Sequence, residues 1–152
     1  MVAGMLDLAE AMNADAKGWV REMALLVTMA TAEEVRCEWE VAPKHLQTYG
    51  IVHGGMHCGV IETLASAGAA AYAIPRGQAV VGLENTTSFV RAVRAGARLH
   101  AVATPLTRGR RSQLWEGRIF DEEERLVAIG RVRLLCLPAD EALAGQAPAR
   151  RR

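Results

Sequence analysis

The sequence predicts an α+β fold in which an antiparallel sheet wraps around one long, buried helix. A run of helix-compatible residues extends from Gly55 to Ala73 and is apolar on nearly all sides, which is typical of a buried helix. Four strand-like segments follow it, separated by the short breaks that connect antiparallel strands. Of the 152 residues, 51% are apolar but only 5% are aromatic, so the core is built of small residues that let the sheet approach the helix.

The elements before the long helix follow from the same periodicities. Apolar residues at helical spacing predict a short N-terminal helix over residues 3–15. Residues 19–30 fit either a second helix or the entry to a first strand. Charged and apolar residues alternate over residues 34–41, which predicts a half-buried strand that Pro43 ends.

The long helix and the strands after it are bounded by turn residues. Residues 44–50 are expected to form a loop, Gly54-Gly55 opens the helix, and Pro75-Arg76-Gly77 closes it. The four predicted strands are Ala79–Val93, Ala97–Leu106, Ser112–Phe120 and Arg125–Leu137. We expect residues 1–137 to form one domain, with residues 1–30 as an N-terminal helical extension and residues 138–152 as a disordered tail.

Charge and cysteine content exclude several classes of protein. The formal net charge is +1, and the last fifteen residues account for it, so the body of the chain is neutral and no nucleic-acid partner is expected. The three cysteines are far apart and form no CxxC pair, which predicts a reducing, cytoplasmic compartment rather than a disulfide framework or a zinc ribbon. The N-terminus lacks a basic signal-peptide region. Residues 56–74 are interrupted by His57 and Glu62 and make a poor membrane span.

Two features of the long helix suggest chemistry. Glu62 is the only carboxylate between Glu40 and Glu84, and a carboxylate in an apolar helix is unusual without a partner. A position facing a solvent-filled gap would also explain it. Gly54 and Gly55 leave backbone N–H groups at the helix start open to a carbonyl oxygen, as in an oxyanion hole, although a tight turn needs glycine as well.

The segment around these residues resembles a known family. The pattern G-x-x-H-G-G, with a carboxylate nine residues after its His, is similar to the hotdog-fold acyl-CoA thioesterases of the phenylacetate-pathway and 4-hydroxybenzoyl-CoA type. The resemblance runs from about residue 35 to residue 137. Many members carry Asn six residues before the His and Asp nine after it. This chain has Gln47 and Glu62 there, with Ser66 four residues further on, and this combination resembles the 4-hydroxybenzoyl-CoA thioesterase subtype.

The resemblance implies an enzyme that hydrolyses an acyl-coenzyme A thioester to the free acid and CoA. Glu62 is then the nucleophile or the general base, and the N–H of Gly54 or Gly55 polarises the thioester carbonyl. Gln47 orients that carbonyl or the attacking water. The reaction needs no metal and no cofactor other than the CoA of the substrate.

The resemblance assigns supporting roles to further residues. His53 supports the loop or the side of the site from which the thiol leaves. Ser66 lies on the same helix face as Glu62 and holds either Glu62 or the water. Family members pair their sheets into homodimers, often dimers of dimers, with sites at the interface. Residues 86–91 resemble a strand of the family that ends in Arg, here Arg91. The Pro that usually follows this Arg in the family is replaced by Ala92. Candidates for the CoA phosphates, each of which also fits a solvated turn, are Arg91, Arg108, Arg110 and Arg111.

Four alternatives to this interpretation differ in the residues that they require. His53 and His57 with Cys58 or Glu62 could be metal ligands, but His53 precedes the helix, so the two histidines do not share a helix face. No motif places a base for a nucleophilic Cys58. The Asp/His arrangement of a hotdog hydratase is not found. A non-catalytic acyl-CoA sensor with this fold would not need Glu62, whereas an enzyme accounts for the whole set of Gln47, Gly54, Glu62 and Ser66.

Overall fold

The structure, a computed structural model, describes residues 6–146. Within this range, six antiparallel strands form one sheet in the order β1-β2-β4-β5-β6-β3. The helices are α1 (Ala9–Ala14), α2 (Gly18–Met23) and α3 (Gly54–Ala73), and single 3-10 turns, Pro43–His45 and Ile74–Arg76, lie before and after α3. The strands are β1 (Leu26–Ala30), β2 (Val35–Glu40), β3 (Gln78–Phe89), β4 (Arg98–Arg108), β5 (Ser112–Asp121) and β6 (Leu126–Pro138).

The predicted fold class is confirmed. The long helix begins at Gly54, and the four predicted strands after it are present as β3 to β6. The clearest difference is the end of β3, which stops at Phe89 rather than at Val93. Both Val90 N and Arg91 N donate to Val127 O, so two residues face one partner and the ladder ends there. Val93 O instead accepts from Val52 N and ties the chain to the loop before α3.

The N-terminal region is only partly helical. The predicted helix over residues 3–15 is shorter, because its first turn follows Asp7, whose carboxylate accepts from Ala9 N, and residues 3–5 lie outside the described range. The segment 19–30, left open between helix and strand, contains both. Helix α2 ends at Met23, and the next residue, Ala24, has a left-handed φ of 54°. Strand β1 follows and pairs with β2. Residues 26–30 of the expected helical extension instead form a strand, since they pair with β2 and bury the side chains of Val27 and Ala30.

The predicted tail is described only in part. Strand β6 runs through Pro138, and Ala139 N donates to Gly77 O, 3.0 Å away. Residues 147–152 lie outside the described range. The disorder of the tail and the domain boundary at residue 137 remain predictions.

Helix α3 is the centre of the core. Eleven of its twenty residues are buried, including all but one of those from 64 to 69. The helical segment Gly54–Arg76 is long and apolar enough to cross a membrane by length and composition alone, but here the sheet covers it as it covers the core helix of a globular domain. Small residues permit this contact: a Cβ on Gly68 would lie 2.3 Å from the Trp115 ring, and one on Gly117 would lie 2.9 Å from Ile61.

Two buried polar side chains of β5 beneath α3, Trp115 and Gln113, are satisfied by a chain of hydrogen bonds. The indole of Trp115 is fully buried and donates to Gln113 Oε1 at 2.9 Å. Gln113, also buried, donates to Ala69 O on the helix at 3.1 Å. A buried N–H without an acceptor costs free energy, so this chain of bonds fixes how β5 sits against α3.

Candidate active site

The site begins at the N-terminus of α3, where two adjacent glycines have different surroundings. His53 is the N-cap residue, and its Nδ1 accepts a hydrogen bond of 2.8 Å from Gly55 N. The His53 amide in turn donates to His45 O. Gly54 N–H has no acceptor within residues 6–146. His53 therefore supports the loop and occupies the Gly55 N–H, which leaves the Gly54 N–H as the free donor at the positive end of the helix.

The start of α3 opens onto a cleft of about 270 Å³. Phe89, at the end of β3, packs so closely over Gly54 that a Cβ there would lie 2.5 Å from its ring. Gly54 therefore lets the Phe89 ring lie directly against the start of α3, in addition to opening the turn. The polar and aromatic residues lining the cleft are Gln47, Gly54, His57, Phe89 and Arg91.

Gln47 is held beside Gly54 by a tight turn. Its backbone N donates to Ile51 O at 2.8 Å, and its backbone O accepts from Gly50 N at 2.9 Å. Its side-chain Oε1 accepts from Tyr49 N. The side-chain NH₂ donates to no group of the described chain, so it is available to a carbonyl or a water in the cleft.

His57 contributes a buried imidazole to the same cleft. It is 3% exposed, its ring centroid lies 6.0 Å from that of Phe89, and its Nδ1 has no partner within the described residues. Burial lowers the pKa of His57 to about 4, so the ring is neutral near pH 7. In the part of the chain that the structure describes, no three His, Cys, Asp or Glu side chains come together as metal ligands, and His53 is engaged as the helix cap.

Glu62 lies two turns further along α3 and is held against β3. Its Oε2 accepts from Asn85 Nδ2 at 3.1 Å. Its Oε1 lies over Gly82, where a Cβ would come within 2.3 Å. Glu62 thus packs on a strand and does not simply face a solvent-filled gap. Ser66, partly buried on the same helix face, makes no side-chain hydrogen bond within residues 6–146.

Three residues of β3 that surround Glu62 were missed by the sequence interpretation. Asn85 binds the carboxylate, Thr87 Oγ1 donates to Asn85 Oδ1 at 2.6 Å, and Gly82 provides room. The signals were present, since Asn is disfavoured inside a strand and Gly inside a strand often marks a bulge or a close approach. The ladder between β3 and β6 does shift register between Gly82 and Glu84.

A single chain does not bring the Glu62 carboxylate and the free Gly54 N–H together. Gly54 and Glu62 are eight residues apart on one helix, a separation of about 12 Å along its axis. The cleft that Gln47, Gly54 and Arg91 line does not include Glu62. The structure therefore contains two half-sites, one at the start of α3 and one where α3 contacts β3.

The four candidate arginines also lie in separate places. Arg91 lines the Gly54 cleft. Arg108 already has partners in the chain, because its Nη1 donates to Ala32 O at 2.7 Å and its guanidinium pairs with Glu33. Arg110 lines a second cavity that includes Tyr72, eighteen residues or about 27 Å along α3 from Gly54.

Arg111 lies next to that second cavity, in the turn between β4 and β5. Neither Arg110 nor Arg111 forms an ion pair with a described residue. The four arginines therefore do not form one phosphate-binding cluster in a single chain. Arg91 is near the reacting end, and Arg110 and Arg111 are free to bind an anion at the far end of α3.

A sheet wrapped around one helix, with His-Gly-Gly at the helix start and a carboxylate on the helix, is the architecture of hotdog-fold thioester hydrolases. The model of the family described as Thioesterase superfamily matches residues 49–128. The chain belongs to this family, and it is a thioester hydrolase.

Relatives and solved structures agree with this assignment. The chain is 43% identical over 120 residues to Rv1847 of Mycobacterium tuberculosis, covering 78% of this chain and 85% of that protein. It is 36% identical over 125 residues to the proofreading thioesterase EntH of Cronobacter sakazakii, covering 81% and 89%. The crystal structure of the Haemophilus influenzae thioesterase HI1161 superimposes with a TM-score of 0.78 at 26% identity, covering 88% and 90%.

Proposed function

We propose that this thioester hydrolase acts on acyl-coenzyme A and that Glu62 is its catalytic carboxylate. The observation that carries the proposal is the pair of half-sites on α3: a free Gly54 N–H beside Gln47, and a Glu62 carboxylate fixed on β3. A thioester has an activated carbonyl and a good leaving group. A carboxylate and one oriented N–H donor are therefore sufficient for its hydrolysis.

Two routes fit this pair of groups. As a general base, Glu62 takes a proton from water while the water oxygen bonds to the carbonyl carbon; the C–S bond then breaks, and the thiolate leaves and takes the proton. As a nucleophile, the Glu62 carboxylate bonds to the carbonyl carbon and expels the thiolate, and water then hydrolyses the resulting anhydride. In both routes the oxyanion is stabilised by Gly54 N–H and the positive end of α3.

The active unit that we propose contains two copies of the chain. The 12 Å between Gly54 and Glu62 is too long for both groups of one copy to act on one carbonyl, whereas Gly54 of one copy can meet Glu62 of another. Strand β3 is an edge of the sheet, twelve residues long, with Leu83 and Phe89 exposed on it. An exposed apolar edge of this length is suited to pairing with a second chain, giving a homodimer or a dimer of dimers.

The remaining parts of the proposal concern CoA and the compartment. The candidates for the CoA phosphates are Arg91, Arg108, Arg110 and Arg111. Of these, Arg108 would have to exchange its ion pair with Glu33 for a phosphate. No metal takes part, so activity in excess chelator should equal activity without it. All three cysteines are free, in keeping with a cytoplasmic enzyme.

The experiment that tests the proposal is thiol release from short, long and aromatic acyl-CoAs, measured together with binding of the same compounds. The proposal predicts turnover of at least one acyl-CoA and no turnover of the matching acyl-pantetheine at the same concentration. This result would support both the hydrolysis reaction and the role of the CoA nucleotide in binding. Tight binding of acyl-CoAs with no thiol release from any of them would favour the sensor. Equal turnover of both compounds would remove CoA from the proposal.

A further inference from the structure

We propose that Asn85 is a positioning residue that holds the Glu62 carboxylate in its reactive orientation, and that Thr87 fixes the orientation of the Asn85 amide. This inference rests on the proposed catalytic role of Glu62. Neither residue belongs to the motif that identifies the family. Both lie on β3, the strand that packs against the part of α3 carrying Glu62.

The side-chain NH₂ of Asn85 donates two hydrogen bonds, and both acceptors lie on the same turn of α3. Its Nδ2 donates to Glu62 Oε2 and to Cys58 O, each at 3.1 Å. Cys58 lies four residues before Glu62, so it is the helical neighbour one turn away. The amide therefore fixes the carboxylate relative to the backbone turn that carries it.

Thr87 holds the end of the Asn85 amide that faces away from the helix, while the two acceptors on α3 determine which end that is. Its hydroxyl donates to Asn85 Oδ1 at 2.6 Å. A flipped amide would present its oxygen to Glu62 Oε2 and Cys58 O, both of which are acceptors, and would lose both bonds. Gly130, opposite Thr87 on β6, leaves space for the hydroxyl, since a Cβ there would lie 2.3 Å from Thr87 Oγ1.

The second carboxylate oxygen of Glu62 is left available. Oε1 lies over Gly82 and accepts no hydrogen bond from a described residue. One oxygen is thus held and the other is left to take a proton or to attack a carbonyl. A free Glu side chain has several rotatable bonds, and fixing it before the substrate arrives removes that ordering cost from the barrier. A neutral amide achieves this without placing a cation beside the carboxylate.

The first test compares two substitutions at Thr87, a residue that contacts Asn85 but not Glu62. Thr87→Val keeps the shape of the side chain and removes the hydroxyl, whereas Thr87→Ser keeps the hydroxyl. We expect Thr87→Val to lower kcat about tenfold with KM within about twofold, and Thr87→Ser to restore most of the activity, as misplacement of a reacting group predicts. Equal kcat for Thr87→Val and the wild type overturns the role of Thr87.

The second test is a double-mutant cycle between Asn85→Leu and Glu62→Gln. If Asn85 acts through Glu62, Asn85→Leu lowers kcat about tenfold or more in the wild type and has little further effect in the Glu62→Gln background. An equal loss in both backgrounds indicates a structural role and overturns the proposal. Circular dichroism and thermal midpoints establish that each variant folds. If Asn85→Leu does not fold, the Thr87 pair decides.

The two proposals fail in different ways. Full activity of Glu62→Gln removes the catalytic role of Glu62 and the positioning proposal with it. An inactive Glu62→Gln enzyme combined with unchanged kcat in Thr87→Val and Asn85→Leu leaves the catalytic role intact and rejects only the positioning role.

Discussion

Gly54 and Gly55 are adjacent and chemically identical, yet they have different tasks because of one neighbouring side chain. His53 caps the Gly55 N–H through Nδ1, so the Gly54 N–H alone is left for a ligand. The motif predicted a free N–H at this turn but not which glycine supplies it. Capping depends on the rotamer of His53, which the sequence pattern does not specify.

At the residue scale, Glu62→Gln tests the carboxylate directly. The amide keeps the size of the side chain but cannot take a proton or attack a carbonyl. We expect kcat to fall by roughly 100-fold or more, with little change in KM. Thiol release from the best acyl-CoA substrate measures this effect. The matched control is Glu10→Gln, an exposed carboxylate on α1, which should retain wild-type kcat; comparable losses in both variants would contradict the assignment.

A second residue-scale prediction concerns acid stability. The pKa of His57 is lowered to about 4 by burial, against about 6.5 when unfolded, so between these values the unfolded chain binds the proton more tightly. The stabilisation that comes from burying the neutral ring is fully present above pH 6.5. As the pH falls from 6.5 toward 4, the free energy of unfolding decreases by up to about 3 kcal/mol.

Urea unfolding at pH 7 and pH 5 measures this loss. The comparison variant is His57→Gln, which is neutral at both pH values. The free energy of unfolding should fall more steeply with pH in the wild type than in the variant. Parallel profiles would show that His57 does not contribute to the pH dependence.

At the element scale, the fit of α3 against β5 depends on Gly68. A Cβ at this position would lie 2.3 Å from the buried Trp115 ring, which is itself fixed by its bond to Gln113. We expect Gly68→Ala to lower the free energy of unfolding by about 1–3 kcal/mol, because overpacking forces side chains out of their preferred rotamers. Chemical denaturation measures the change.

Ser66→Ala is the matched control on the same helix. Its hydroxyl has no hydrogen-bond partner among residues 6–146, so its loss should change the free energy of unfolding by less than about 0.5 kcal/mol. If Gly68→Ala is as stable as Ser66→Ala, the helix and sheet can separate without cost and the packing argument fails. If Ser66→Ala lowers kcat, Ser66 contacts the water or the substrate.

The elements themselves were accessible from sequence, whereas their contacts were not. Helix α3 and strands β3 to β6 follow from an apolar run and from turn residues, which are local signals. The contact between Asn85 and Glu62 joins residues 23 positions apart on a helix and a strand. Its register depends on the bulge near Gly82, and no periodicity in either element specifies it.

At the scale of the whole molecule, the two groups that we propose act on one carbonyl, the Gly54 N–H and the Glu62 carboxylate, lie too far apart to do so within one copy of the chain. The family resemblance already implies a site at a subunit interface, although the motif places Gln47, Gly54 and Glu62 within one short segment. A helix converts that short segment into a separation of about 12 Å. We therefore propose that catalysis needs a second copy, with Gln47 and Gly54 of one copy working with Glu62 of another.

Subunit mixing tests that claim most directly. Gln47→Ala and Glu62→Gln are each purified, mixed in equal amounts under conditions in which subunits exchange, and assayed for thiol release. A mixed dimer has one site with intact Gln47 and Glu62 and one with neither. If both single variants are nearly inactive and dimers form at random, the mixture should recover about a quarter of wild-type activity. Activity that stays at the level of the two variants, with exchange verified by mass spectrometry, would contradict the account.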